Sequence, residues 1–244
     1  MVADDWIPKG DRLVVAVDGP AGAGKGAVCR AAAVRCGLAY LETGAIYRAL
    51  GKLALQEGLT DSDDLARRAA EMPFAYRAVG GGLFRAFLGE EDVTDALRGE
   101  AIGQAASKVA AIPAVRSALL AFQRYYGHGR HLILDGRDVG TVVWPDADLK
   151  IYLTASLEER ANRRLRELRG LGKNVVFEDI YADMKERDAR DAGRADAPLR
   201  AAADAVQVDT TRLTLAESID HVVQLIKNSL KKADFECSES LSVP

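Results

Sequence analysis

Cysteine is scarce: Cys29, Cys36 and Cys237 are the only three in 244 residues. An odd count with no CxxC spacing argues against a disulfide framework and against a zinc site; reduced thiols are expected, and no residue is singled out as a metal ligand. Long apolar runs are also missing; none reaches the length that spans a bilayer. The first residues, MVADDWIPKGDR, have no apolar signal core, and a soluble, cytoplasmic protein is the expectation. Charge of one sign is not in excess either. Lysine and arginine total 33 against 36 acidic residues, a formal net charge of −3. That balance gives no general attraction to nucleic acid or to anionic membranes. Any anion site must come from local clustering of basic side chains.

Hydrophobic residues make up 48% of the chain, enough for one well-buried core, with or without a smaller inserted unit. Leu13–Val17 is a short, β-branched run that enters a glycine-rich turn, as a strand buried on both faces does. Helix is predicted over Lys25–Arg35 with Gly37 as its stop, strand over Ala39–Glu42, and helix over Ala45–Gln56. Phe74–Val79 and Leu83–Leu88 flank Gly80-Gly81-Gly82 and read as a hairpin separate from the main sheet. Helices follow over Arg98–Val109 and from Pro113, a residue suited to a first turn, to Tyr126. Strands are expected at His131–Leu134, Leu149–Thr154 and Ala205–Val208. Capping boxes at Ser156–Glu159 and Thr214–Glu217 open two helices, the second ending near Leu230. A further helix covers Phe177–Ala192. Five strands alternating with helices imply a right-handed parallel α/β core. Residues 1–59 and 112–230 form that core. Residues 60–111 are the insertion, and 231–244 a frayed tail.

Between the first strand and the first helix lies Gly19-Pro20-Ala21-Gly22-Ala23-Gly24-Lys25-Gly26-Ala27. Gly19 and Gly24-Lys25 have the spacing of a phosphate-binding loop, in the strand–turn–helix setting that such a loop needs. Backbone amides, the helix N-terminus and the Lys25 charge can together cradle a polyphosphate. Gly26 stands where the strict motif has Ser or Thr, and Ala27 after it also lacks a hydroxyl.

Three further segments carry candidate acceptor groups. Thr43-Gly44-Ala45-Ile46-Tyr47-Arg48 puts a hydroxyl at a helix start and an arginine about a turn later; Thr43 also fits an N-cap, and Arg48 a surface residue. Asp135-Gly136-Arg137-Asp138-Val139-Gly140-Thr141 follows a buried strand, where parallel sheets gather ligands, although Asp-Gly also suits a plain turn. In Lys185–Arg194, a continuous helix would place Arg187, Asp191 and Arg194 at i, i+4 and i+7 on one face. A solvated, ion-paired helix is the alternative for that run. It is the alternative also for the cluster Arg160, Arg163 and Arg164.

Read in order, VDGPAGAGKGA, ETGAIYRAL, ASKVAAIPAVR, LDGRDVGTVVWPDA and KERDARDAGRADAPL resemble the bacterial cytidylate kinases, over about Leu13 to Leu230. The resemblance implies a P-loop kinase core with a five-stranded parallel sheet, a mobile lid at about 156–200 and an inserted monophosphate-binding domain. It implies a phosphotransferase that uses ATP and Mg²⁺ to convert CMP or dCMP to CDP or dCDP. Such an enzyme takes small-molecule substrates and is expected to be a monomer, with no nucleic-acid or membrane partner. By matched position, Thr43 stands where the family has a serine near CMP. Arg48, Arg137 and Arg194 hold the CMP phosphate. Ser107, Arg116 and Asp138 read cytosine, and Arg187 and Asp191 reach the ribose. Lys25, Arg137, Arg187 and Arg194 are the catalytic set, and Arg163 joins the loop residues 19–27 on the ATP side. Ala27 replaces the threonine usual in the family.

Overall fold

The computed structural model describes residues 13–127 and 131–240. Its frame is a sheet of five parallel strands: β1 (Val14–Asp18), β2 (Ala39–Glu42), β6 (Leu132–Gly136), β7 (Leu149–Thr154) and β8 (Val206–Asp209). Their spatial order is β2-β6-β1-β7-β8. Alternation along the strands feeds two cores. Val14, Ala16, Leu132 and Leu134 face one side. Val15, Val17, Ile133, Ile151, Leu153 and Val208 face the other, the pattern expected when both faces are covered. On the second side, α1 (Lys25–Cys36) and α8 (Leu215–Ser240) pack. On the first side lie α2 (Gly44–Glu57), α4 (Glu100–Val109) and α5 (Pro113–Gly127).

The glycine hairpin does form, as β3 (Phe74–Gly80) and β4 (Leu83–Leu88), but it is not separate from the sheet. β4 joins β2 in parallel, with Tyr40 opposite Leu83 and the Tyr40 amide donating to the Gly82 carbonyl at 2.9 Å. The added strands, with the two-residue β5 (Glu91–Asp92), bring the sheet to eight. The reason is the open edge of β2, whose backbone groups need partners that the hairpin supplies. A helix that the periodicity reading passes over, α3 (Ser62–Glu71), precedes the hairpin; Asp61 caps it by accepting from the Asp63 and Asp64 amides. Leu65 and Ala69 of α3, Phe74 and Tyr76 of β3, and Leu97 and Ala106 share one core with Val14 and Leu132 of the central strands.

Near the C-terminus, α6 (Leu157–Gly170) and α7 (Phe177–Ala192) enclose a small core of their own: Ala161, Leu168, Ile180 and Met184. Thr214 and Glu217 form the expected reciprocal cap of α8. At α6 only half the box forms. Ser156 accepts from the Glu159 amide, while the Glu159 carboxylate turns to Arg163 and Arg166. α8 runs ten residues past Leu230, to Ser240, because KKADFECSES contains no glycine or proline to stop it.

Candidate active site

The chemistry gathers at the carboxyl ends of β1, β2 and β6, three neighbouring strands. From β1 the chain turns through the glycine loop into α1. Gly19 has φ +150°, and a Cβ there would stand 1.9 Å from the Leu153 carbonyl oxygen; only glycine lets the root of the loop lie against β7. Gly22, at φ +74°, sits under Met184 and Arg160 of the α6–α7 pair. α1 begins at Gly24 with no side-chain cap, so its first amides are free to meet an anion. The Lys25 ammonium folds back and donates to the Gly19 and Pro20 carbonyls at 2.7 and 2.8 Å. Burial, reinforced by the Arg137 charge, pushes its pKa down.

From β6 come Asp135, Gly136, Arg137 and Asp138. The Asp135 carboxyl is buried and accepts from Tyr40 Oη at 3.3 Å. Burial pushes its pKa up, with the Glu42 charge adding to the effect and Lys25 opposing it. Asp138 forms an ion pair with Arg116 of α5, both side chains being buried. After it the backbone makes one π-helical turn, Val139–Val143. From β2 comes Thr43, whose hydroxyl does not cap α2. Thr43 itself has helical backbone angles, and its Oγ1 donates to the Asp135 carbonyl at 2.8 Å, tying the ends of β2 and β6.

Asp191, near the end of α7, is the hub of the basic groups, with its side chain 1% exposed. It accepts from Arg137 Nε at 3.0 Å, from Arg194 Nη2 at 2.5 Å and from Ser107 Oγ at 3.2 Å. Burial would raise its pKa, but Arg137, Arg194 and Arg187 outweigh that and hold it below the usual carboxylate range. Arg194 is not on the helix face, since α7 ends at Ala192; it reaches Asp191 by turning back beyond Gly193. Arg187 has no ion pair within reach among the described residues, and its Nε is buried without a hydrogen-bond partner. Burial, then Arg137, Arg48 and Arg194, push its pKa down to about 10, against the pull of Asp191. Arg48 donates to the Leu97 carbonyl at 3.1 Å. A Cβ on Gly103 would stand 3.3 Å from Arg48 Nη1 and 3.8 Å from Arg187 Nη1, so the two guanidiniums look on one gap.

These groups line a single cleft of about 940 Å³, together with Ala21, Gly22, Gly24, Gly26 and Ala27. The fold thus brings Lys25, Thr43, Arg48, Ser107, Arg116, Arg137, Asp138, Arg187, Asp191 and Arg194 to one place. Gly19, Pro20 and Ala23 do not line the cleft. Arg163 stands outside the lining, donating to the Thr210 carbonyl and hydroxyl at 2.6 and 3.1 Å, while its Nη1 lies 3.8 Å from where a Cβ on Gly24 would be. Sequence reasoning leaves two groups without a site role: Arg160, read with Arg163 and Arg164 as a solvated, ion-paired cluster, and Asp18. Arg160, 5% exposed, donates to the Ala21 carbonyl of the loop at 2.9 Å and to Asp188 at 2.6 Å. Asp18, 4% exposed, bonds the amides of Val139 and Gly140. In an arginine-rich stretch nothing local marks Arg160 as the buried one.

No single helix among the described residues is long and apolar enough to cross a membrane. A cleft lined by both the glycine loop with Lys25 and the clustered arginines suits moving a phosphoryl group between two anions. Comparison with known proteins points the same way. A family model described as cytidylate kinase matches residues 15–228. A cytidylate kinase of Magnetococcus marinus is 56% identical over 222 residues, covering 91% of this chain and 99% of that one. One of Vibrio parahaemolyticus is 47% identical over 219 residues, covering 89% and 96%. The matched residues span the glycine loop, the β6 turn and α7, and the chain belongs to the cytidylate kinase family.

Proposed function

We propose that the chain transfers the γ-phosphate of ATP to CMP or dCMP, giving ADP and CDP or dCDP. The observation that carries this is the pairing, in one cleft, of the phosphate loop with two acceptor-side groupings: the arginines around Asp191 and the buried Arg116–Asp138 pair. The bond from the γ-phosphorus to the β,γ-bridging oxygen breaks as an oxygen of the CMP phosphate bonds to that phosphorus. The attacking oxygen is already deprotonated, so little covalent help is needed; positioning and charge neutralisation dominate.

Lys25 leaves the Gly19 and Pro20 carbonyls to meet the ATP phosphates, and the uncapped start of α1 holds them. Arg48, Arg137 and Arg194 hold the acceptor phosphate, for which the planar guanidinium fork suits two oxygens at once. Arg116 and Asp138 meet the carbonyl and amino groups of cytosine, with Ser107 beside them. Arg187 and Asp191 reach the ribose and the transferring group. Mg²⁺ typically takes one or two carboxylates plus phosphate oxygens. Asp135 fits that role, being a carboxylate beside the loop with one oxygen left without a hydrogen-bond partner among the described residues. Bound there, the ion would neutralise charge on the ATP phosphates. Residues 156–200 act as a lid over an acceptor-binding insertion at 60–111, and the enzyme works as a cytoplasmic monomer. An acceptor panel of CMP, dCMP, UMP and AMP with ATP and Mg²⁺ tests the reading: CMP and dCMP are expected to be fastest, UMP slower and AMP slowest. Equal rates with AMP would refute the cytosine assignment, because adenine offers no carbonyl to Arg116.

A further inference from the structure

The π-helical turn Val139–Val143 follows directly on Arg137 and Asp138, and what anchors its start lies 121 residues earlier in the chain. Asp18 Oδ1 accepts from the Val139 amide and Oδ2 from the Gly140 amide, each at 2.8 Å. Both carboxylate oxygens are thus used on two consecutive amides that the turn itself leaves without partners. Asp138, just before them, has φ −146° and ψ 24°, outside the helical region. The direction of its side chain towards Arg116 therefore depends on where the turn begins.

Asp18 also stands at a junction. It is the last residue of β1, opposite Gly136 of β6 in the sheet, and it immediately precedes Gly19. Gly19 is locked against Leu153, and its carbonyl receives Lys25. One buried carboxylate therefore belongs to the donor loop by sequence and to the acceptor turn by hydrogen bonding. A buried carboxylate is costly to retain, and a strand end that needed only packing would be served by an apolar residue.

Building on the cytidylate kinase reading, we propose that Asp18 is a positioning residue for the acceptor: by holding the Val139 and Gly140 amides it aims Asp138 at the base and Arg137 at the phosphate. It touches neither substrate. Its removal should weaken acceptor recognition and spare donor binding.

Asp18→Asn keeps one acceptor oxygen and sets an amide N–H₂ against the second backbone amide. Asp18→Leu keeps the volume and removes both acceptors. The expected result is graded: KM for CMP up by about tenfold in Asp18→Asn and further in Asp18→Leu. The CMP over UMP preference should fall in the same order. ATP affinity without CMP should stay within about twofold of the parent. Calorimetric stoichiometry for ATP counts the folded fraction, so each KM refers to folded enzyme. An unaltered KM and CMP preference in both variants overturns the proposal, as does an equal loss of ATP and CMP binding. Collapse of the fold in both makes Asp18 a structural residue and also overturns it. A parent enzyme that does not phosphorylate CMP would instead refute the activity on which the proposal rests, and that control is run first.

Discussion

Replacing Arg187 with methionine should make the empty enzyme more stable and the working enzyme worse. The Arg187 guanidinium is partly buried, its Nε has no hydrogen-bond partner among the described residues, and Arg137, Arg48 and Arg194 repel it. Its pKa, pushed down to about 10, corresponds to roughly 3 kcal/mol against the charged form. At neutral pH the group is charged in both folded and unfolded chains, so this cost falls on the fold. That figure is already net of the attraction to Asp191, and partial exposure to solvent screens part of it; the expected net gain is about 1–2 kcal/mol. Methionine keeps much of the side-chain packing. For a chain of this size the gain is a rise of about 2–8 °C in Tm. Differential scanning calorimetry without nucleotide measures it, and a coupled assay for ADP measures turnover. kcat/KM for CMP should fall at least about tenfold, because a cation is lost where the phosphates meet. A Tm that stays level or drops would refute the reasoning, for Arg187 would then be stabilising the fold as an ordinary ion-paired residue does.

Three other outcomes are expected. Alanine at Arg48, Arg137 or Arg194 should lower kcat/KM for CMP by at least about tenfold each, while ATP titrations without CMP change little; unchanged CMP kinetics in all three would return them to structural ion pairs. Ala27→Thr adds a hydroxyl at an exposed position on the first turn of α1 and should retain or raise kcat; a large loss in a folded variant would mean that the loop has adapted to alanine. Asp135→Asn removes a carboxylate whose ionisation burial already opposes. It should leave the fold intact and raise several-fold the Mg²⁺ concentration needed for half-maximal rate, as a magnesium titration of the initial rate will show.

Much of the core was legible because its signals are local. Val14–Asp18, the glycine loop and α1 declare themselves by a β-branched run, a spacing and an alanine-rich helix with a glycine stop. Gly37 does end α1, at φ +67°. What stayed hidden depends on partners far away in the chain. The hairpin could be read from Gly80-Gly81-Gly82, but its pairing with β2 could not, since that follows from an edge the turn residues know nothing about. Thr43 reads as a cap from its neighbours, and only the adjacent end of β6 diverts its hydroxyl. Arg194 lies past the end of α7, so its link to Asp191 is made by the return of the chain and not by helical spacing. The π turn is anchored by Asp18 across the sheet, and no residue within 137–143 announces it. α3 is a different case: Asp61, the acidic first turn and the Leu65–Ala69 spacing are all present at the start of a segment read as an insertion.

The inserted residues 60–111 have no interior separate from the sheet. Leu65, Phe74, Tyr76, Leu97 and Ala106 pack in the same core as Val14 and Leu132. Such a segment cannot be exchanged between kinases as a cassette, because its buried face is cut to fit these particular strands and a transplanted one would leave voids or clashes. New acceptor preferences on this scaffold are therefore reached one side chain at a time along the cleft, and protein engineers who try to swap the whole piece should expect insoluble chimaeras.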